Sequence, residues 1–445
     1  MATDLLTIAA SGVRAARVAL DVTAHNIANA GTSGYVRRSV QLSELASASG
    51  FGQVGDLSFS GVRIEGMVRN ADAFRQAEVR RTGADAARAG TELTAYQNVE
   101  AALEQSGLFP AMTGLEEALQ QLSIDPVDPS LRTATLEQAR TLARTFNLAE
   151  QGLTTVADGL HFAATDGVDQ VNRLSAELAR TNLQLARSTP GTADHVLLLD
   201  QRDGLLGQIS GYADIATSFR PDQTVTVRIG GTSGPQLVAG GTVDPLSLTV
   251  AGDGTLSFSN GTGSVTLSGG SLAGQAQGLV LVRDSRVGLD AIAASLIASA
   301  NGAQAAGVAL DGTPGQPLFS GTTAADIAAS LTSGAGIATA PAGASAGSRD
   351  PAGLAALRSA LSSADISGQI DGLLFQVSSA TQGRATTADA LEAIAGAAQL
   401  ALDQQAGVNL DEEAVNLVRF QQAFQASSKA IQIASDLFDT LLAIR

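Results

Sequence analysis

The sequence predicts a mainly α-helical fold: two heptad helices, one at each end, form a coiled-coil domain, a long helical bundle fills the middle, and a small antiparallel β unit is inserted. Three observations carry this. Apolar residues step by three and four at both ends of the chain. Helical patterning runs almost unbroken from about 71 to 188. Period-two alternation with paired glycines is confined to 219–274.

Residues 3–29 place Leu6, Ala9, Val13, Ala16, Leu20, Thr23 and Ile27 on one stripe, the spacing of a coiled-coil seam. The stretch Asn29-Ala30-Gly31-Thr32-Ser33-Gly34-Tyr35 then reads as turn chemistry. Residues 36–70, with Val62-Arg63-Ile64, read as short strands and loops. Asp128-Pro129 is a helix start, Asp as the cap and Pro at the first helical position. Pro190-Gly191 breaks the helical run, and Val196 to Ile209 resumes it. Thr224 to Ile229 alternates as a strand, and Gly230-Gly231, Gly240-Gly241 and Gly269-Gly270 supply turns. Helix is expected again over 284–301, with Val287, Ile292, Leu296 and Ile297 on one face and Gly302 as its stop. Residues 307–350, rich in Gly, Ala, Ser and Pro, read as loop, and helix resumes from Pro351 to about 405.

The last segment is the strongest pattern. Asn409 caps it, with Glu412 three residues on in the manner of a capping box. Leu417, Phe420, Phe424, Ser427, Ile431, Ala434, Phe438 and Leu441 repeat the three-and-four step. A helix over 409–445 is about 55 Å long at 1.5 Å per residue, and Arg445 suits the negative end of its dipole. Neither terminal helix has enough apolar surface to stand alone. Their charges complement: residues 1–40 hold four Arg against two Asp, and 409–445 hold three cations against five carboxylates. The two ends are therefore expected to pair, leaving Ala414, Val418 and Leu442 for further subunits. The chain divides into a coiled-coil domain of 1–40 with 406–445, a rod-like helical core of 41–218 with 275–405, and the β unit at 219–274.

Composition removes several classes of function. The net charge is −16 with no basic block, which argues against nucleic acid and anionic membrane surfaces as partners. There is no Cys, so disulfides, thiolate nucleophiles and Cys-ligated zinc are excluded. The single lysine, Lys429, follows no Gly-rich loop, which removes a P-loop. His25, His161 and His195 are far apart and form no His-x-x-x-His pattern, so neither metal nor cofactor is expected. Gly343-Ala344-Ser345-Ala346-Gly347 matches the nucleophile elbow of a secreted serine hydrolase, but every histidine precedes Ser345 and the flanks are low in complexity. The reading is therefore non-enzymatic. Asp4, Arg14, Arg17 and Asp21 interrupt the N-terminal apolar stretch, so no cleaved signal peptide is expected, and no run of about 20 apolar residues suggests a membrane span.

At the two ends the sequence resembles the axial proteins of the bacterial flagellum. His25-Asn26-Ile27-Ala28-Asn29 through Gly34-Tyr35 is similar to a turn shared by rod, hook and hook-associated proteins, which marks Asn26, Asn29, Gly34 and Tyr35 as a linker turn. Gly407-Val408-Asn409-Leu410-Asp411-Glu412-Glu413, Arg419-Phe420-Gln421-Gln422 and the ending Leu437-Phe438-Asp439-Thr440-Leu441-Leu442 resemble the hook-associated protein 1 family, the first of two that join hook to filament. Arg140 to Asn147, Leu199 to Leu206 and Ala309 to Phe319 resemble the same family. The family's large outer β domain, which follows the segment matching Leu318-Phe319, looks missing here.

The resemblance implies a structural subunit at the hook–filament junction, outside the cell. It leaves unfolded through the flagellar type III export apparatus and assembles as a ring at the hook tip. Its implied partners are itself, hook protein, the second junction protein and an export chaperone. The seam residues would be Leu6, Val13, Leu20, Ile27, Leu417, Phe420, Phe424, Ile431, Phe438 and Leu441. The turn alone also permits another axial protein, such as hook, rod or second junction protein.

Overall fold

The computed structural model describes residues 2–32, 34–48, 57–261 and 263–443. The fold is mainly α, with long helices at both ends and small antiparallel sheets between. Helix α1 (Ala2–Ala28) leads into a hairpin of β1 (Arg38–Ala48) and β2 (Leu57–Arg69). The hairpin strands are longer than the short strands expected over 36–70. They carry two register shifts, at Gln41/Leu42 and Leu45/Ala46, which sharpen the twist.

Helices α2 (Ala73–Gln105), α3 (Leu108–Leu122), α4 (Pro129–Leu185) and α5 (Ala193–Tyr212) follow. The cap read from Asp128-Pro129 is present: Asp128 Oδ1 accepts from the amides of Ser130 at 2.7 Å and Leu131 at 3.0 Å. The β unit comprises β3 (Ile215–Phe219), β4 (Val225–Ile229), β5 (Gln236–Ala239), β6 (Thr242–Val243), β7 (Leu246–Val250), β8 (Leu256–Asn260) and β9 (Gly263–Val265). They form a four-stranded meander, β3 to β6, and a three-stranded one, β7 to β9. The unit therefore starts four residues before 219. Its inward side chains, among them Val225, Val227, Leu237 and Phe258, share a core with Val168, Val171 and Leu178 of α4 and Leu206 and Ile209 of α5.

Helix α6 (Ser271–Ala305) begins immediately after Gly270, earlier and ending later than the expected 284–301. Gly302 lies within it. Val287 is 64% exposed, away from buried Ile292 and Leu296. The reason is geometric: 287 to 292 is five residues, about 140° of rotation on a helix. Small residues let α6 approach its neighbours: a Cβ on Gly278 would stand 2.5 Å from Ala95 Cβ, and one on Gly274 2.6 Å from the Arg88 carbonyl.

The segment 307–350 is irregular, as expected, with two-residue strands β10 (Gly307–Val308), β11 (Phe319–Ser320), β12 (Ala328–Ala329) and β13 (Ala340–Pro341). It is not a surface loop, however. Leu318, Phe319, Ala324, Ile327 and Ile337 are buried in the main core with Phe146, Leu142 and Leu296. Buried Arg132 pins it, donating to the carbonyls of Gly334 and Ile337. The helix expected from Pro351 is two helices, α7 (Ala352–Ser363) and α8 (Ile366–Ala406). Asp365 sits between them in the left-handed region at φ +50°, which an Asp tolerates better than most residues. Helix α8 packs along α2, and α9 (Leu410–Ala443) returns along α1.

Candidate assembly site at the paired chain ends

Helices α1 and α9 run antiparallel in fixed register. Asn26 meets Glu413 at one level, and Gly12 faces Ser427 fourteen residues along each helix. A Cβ on Gly12 would stand 2.8 Å from Ser427 Oγ, so the glycine sets the approach there. On α1 the buried apolar residues are small, Ala9, Ala15, Ala16, Ala19 and Val22, and Thr23 and Asn26 are buried with them. Val13, Leu20 and Ile27 are half-buried, and Leu6 is 43% exposed. On α9, Leu417, Phe420, Phe424 and Ile431 are half-buried, Ala434 is buried, and Phe438 is 48% exposed. The side chain of Leu441 lies outside the described residues, as does Arg445. Asn409 caps α9 through Oδ1, accepting from the amides of Asp411 and Glu412.

The base of the pair is a polar knot built on the turn. Asn26 is 1% exposed and uses its side chain fully. Its Nδ2 donates to the Arg38 carbonyl at 2.9 Å and to Glu413 Oε2 at 3.2 Å. Its Oδ1 accepts from the Tyr35 hydroxyl at 2.9 Å and the Arg38 amide at 3.1 Å. Asn29 closes the end of α1 on the His25 carbonyl, through both its amide and Nδ2. Gly34 takes φ +78°, which turns the chain so that Tyr35 folds back over Asn26. Burial pushes the Tyr35 phenol up, and Asp200 and Glu413 add to this against the opposing Arg38 guanidinium. The hydroxyl therefore stays protonated and donates.

Around the knot stands an ion-pair lattice. Arg37 Nε meets buried Glu413 at 2.7 Å. Asp200 of α5 takes Arg38 at 2.6 Å and Arg69 at 2.8 Å. Asp203, one turn further, takes Arg69 at 2.9 Å, Arg202 at 2.7 Å and Gln76 at 3.1 Å. These bonds fasten the hairpin and both terminal helices onto α2 and α5. The sequence reading did not single out Arg37, Arg38, Arg69 or Glu413 as site residues. The i, i+3 spacing of Asp200 and Asp203 on one helix face is the signal that points to a clamp.

The hairpin also crosses the α4–α5 turn at two glycines. Met67 N donates to the Gly191 carbonyl at 2.9 Å, and a Cβ on Gly66 would stand 2.7 Å from Gly191 Cα. Gly66→Val is therefore expected to lift the hairpin off this turn at a cost of about 1–3 kcal/mol, read as faster hydrogen exchange at the Met67 amide. Unchanged exchange would show that the crossing is not a tight contact.

Ser345, of the nucleophile-elbow match, lies in the stretch between β13 and α7, where its carbonyl accepts from the Ser348 amide. The His161 and His195 rings bond elsewhere, to the Gly254 carbonyl and Ser188 Oγ. Among the described residues no group of three or more His, Asp or Glu is placed to hold a metal ion, and no helix is long and apolar enough to cross a membrane.

Comparison with known proteins first gives the class. Residues 6–35 match the family model described as "Flagella basal body rod protein", and 401–444 match "Flagellar basal body rod FlgEFG protein C-terminal". The paired ends are thus those of flagellar structural proteins. Residues 93–319, half of the chain, match "Flagellar hook-associated protein FlgK helical domain", and the chain belongs to this family, a structural rather than an enzymatic one. The chain is similar to flagellar hook-associated protein 1 of Bacillus subtilis, 30% identical over 226 residues, 48% of this chain and 44% of the relative. To that of Salmonella typhimurium it is 27% identical over 248 residues, 55% of this chain and 44% of the relative. The alignments thus span less than half the length of these relatives. The solved structure of the flagellar hook junction protein FlgK from Burkholderia pseudomallei has a similar fold, with TM-score 0.50 and 23% identity over 55% of this chain and 46% of that one.

Proposed function

We propose that this chain is a structural, non-catalytic subunit that joins hook to filament, exported unfolded and assembled at the hook tip through its terminal helices. The observation that carries this is the incomplete cover of the α1–α9 pair. Leu5, Leu6 and Ile8 of α1 and Val415, Val418, Ile433, Leu437 and Phe438 of α9 stay exposed in the single chain. Two helices cannot close stripes of that width; copies packed around them in a ring would. Before assembly, open amphipathic ends suit passage as an unfolded chain through a type III export apparatus, and α9 suits the groove of an export chaperone. Hook protein on one side and the second junction protein on the other complete the partners, and the working location is extracellular.

The test is electron microscopy of cells lacking this chain, with flagellin assayed in the medium. Hooks without filaments, and flagellin shed as monomer, are expected. Normal filaments would reject the reading, and absent hooks would point to a rod or hook protein. Cells expressing Phe424→Glu should match the deletion, because the substitution puts a charge into the half-buried stripe, while the purified variant keeps its helical core. Normal filaments with this variant would remove Phe424 from the seam.

A further inference from the structure

Two helix faces outside the α1–α9 pair carry charge that the single chain does not use. On α4, Arg173 and Arg180 stand seven residues apart on an exposed face, and Arg187 follows at the same interval just past the helix end. Seven residues is close to two turns, so the three guanidiniums form a nearly straight row. Among the described residues none of the three makes a side-chain hydrogen bond or ion pair. Phe162, earlier on the same face, is 78% exposed.

On α8, Asp389, Glu392 and Asp403 are exposed within one arc of about 60°. No cation meets them among the described residues, and Asp403 accepts only from the Gln399 side-chain amide, at 2.8 Å. Leu400 and Phe375 stand beside this row, 58% and 72% exposed. Each helix thus presents an exposed aromatic side chain continuous with a row of unpaired charge, positive on α4 and negative on α8. An apolar anchor with a charged margin is the make-up of a protein contact, and the opposite signs make the two faces complementary.

Their levels along the rod also agree. Gly152 of α4 lies against Ala102 of α2, and Gly278 of α6 fits between Ala95 of α2 and Leu160 of α4. Arg384 of α8 meets Glu92 of α2 at 3.1 Å, and Arg75 of α2 reaches the Ala401 carbonyl of α8. Helices α4 and α8 therefore both run antiparallel to α2, in one direction. The arginine row begins about six residues, or about 9 Å, farther along the rod than Asp389. Helices α2 and α6 pack against both α4 and α8 and separate them, so the two rows do not meet within one chain.

A second copy shifted by that distance along the rod brings them together. Arg173 then faces Asp389 and Arg187 faces Asp403, because both rows span fourteen residues, and Arg180 comes within about a turn of Glu392. The same shift brings Phe162 within about a turn of Phe375. The exposed carboxylates on this face of α4, Asp166 and Asp169, come level with Gln382 to Ala385 of α8, where the one charge is that of Arg384.

We propose that these faces form a second contact between copies of this chain, in which α8 of one copy lies along α4 of the next. Each copy offers α8 to one neighbour and α4 to the other, so the contact repeats around the assembly, and its axial shift makes the ring rise as a shallow helix. The proposal rests on the reading that copies assemble side by side, and not on the place of that assembly in the flagellum.

The test uses the purified full chain, which has no cysteine of its own. Chains carrying Gln184→Cys and Leu400→Cys, two exposed positions that the shift brings level, are mixed and oxidised. The mixed disulfide dimer, identified by mass spectrometry of the linked peptides, is expected in at least about tenfold higher yield than with Ser379→Cys, a position about 30 Å away along α8. Rising salt should lower the yield, because the charges are exposed. Changing Arg173, Arg180 and Arg187 together to Glu on the Gln184→Cys chain should lower it about tenfold. Changing Asp389, Glu392 and Asp403 together to Arg on the Leu400→Cys chain as well should restore it. A yield no higher than the Ser379→Cys control, indifference to reversal of the arginine row, or no recovery when both rows are reversed would each overturn the proposal. The comparison with Ser379→Cys needs no charge variant, so it stands even if the reversed chains fail to fold. Loss of filaments in the deletion strain together with absence of this cross-link would remove the contact and leave the junction reading in place.

Discussion

Replacing Asn26 by leucine is expected to unpin the base of the terminal helix pair, at a cost of about 3–5 kcal/mol. Leucine keeps the branched shape but is larger, so crowding at this buried position adds to the polar loss. Four groups lose their partner at once: the Arg38 carbonyl and amide, the Tyr35 hydroxyl and Glu413. Glu413 is 1% exposed and keeps only Arg37. The damage is local, because the bundle core does not include this knot. Limited proteolysis should therefore cut the variant near residues 29–38 while the rod from α2 to α8 survives. A cleavage pattern like that of the wild-type chain would refute the assignment. Asn26→Asp separates charge from shape. The new carboxylate keeps both accepted bonds but turns an oxygen toward Glu413 and the Arg38 carbonyl. Its ionised form is disfavoured in the fold, so its folded pKa lies above the unfolded value. Stability is then retained below the unfolded pKa and lost as pH rises through the folded one. The variant should melt closer to wild type at pH 4 than at pH 7.

Asn26 also shows what the sequence could and could not disclose. It lies in the last turn of α1, and the resemblance to flagellar axial proteins is what singles it out in the sequence. Its four bonds are not legible there, because their partners lie 9, 12 and 387 residues away. The same division runs through the fold. Patterns written into neighbouring residues, such as the Asp128 cap, the three-and-four stripes and the alternation at 224–229, correspond to real elements. Features decided by distant packing do not read out. The Ala- and Gly-rich 307–350 segment reads as loop, yet its few large side chains complete the main core. The buried apolar residues of α1 are mostly alanines, because close antiparallel approach to α9 and the hairpin favours small side chains over the larger ones of the heptad stripe. Glu413 reads as a helix-start carboxylate, and only the fold reveals that it is the buried partner of Asn26 and Arg37.

Arg132 carries the second large effect. It is 1% exposed, and no salt bridge pairs it with a carboxylate among the described residues. Its guanidinium is held by oxygen dipoles instead. Nε donates to the Pro126 carbonyl at 2.6 Å, Nη1 to those of Gly334, Ala335 and Ile337, and Nη2 to Thr339 Oγ1 at 2.6 Å. Burial lowers its pKa, but a guanidinium has so much to spare that it stays charged. One planar fork thus gathers the loop before α4 and the turn at Gly334–Gly336 onto the first turn of α4. The backbones are close enough that a Cβ on Gly334 would stand 2.5 Å from the Arg132 carbonyl carbon. Arg132→Met keeps the packing of the stem and strips every donor, taking the guanidinium from the Pro126 and Ile337 carbonyls, while Gly334 and Ala335 keep a backbone partner each. A loss of about 3–5 kcal/mol is expected in chemical denaturation. Faster hydrogen exchange should appear across 334–339, ahead of the rest of the core. Arg132→Lys should recover less than half of the loss, because an ammonium presents three donors from one point and cannot span acceptors arranged around a fork. A loss below about 1 kcal/mol for the methionine variant would mean that water replaces the guanidinium at little cost. The 307–350 segment would then be held by its apolar anchors, Leu318, Phe319 and Ile337, alone.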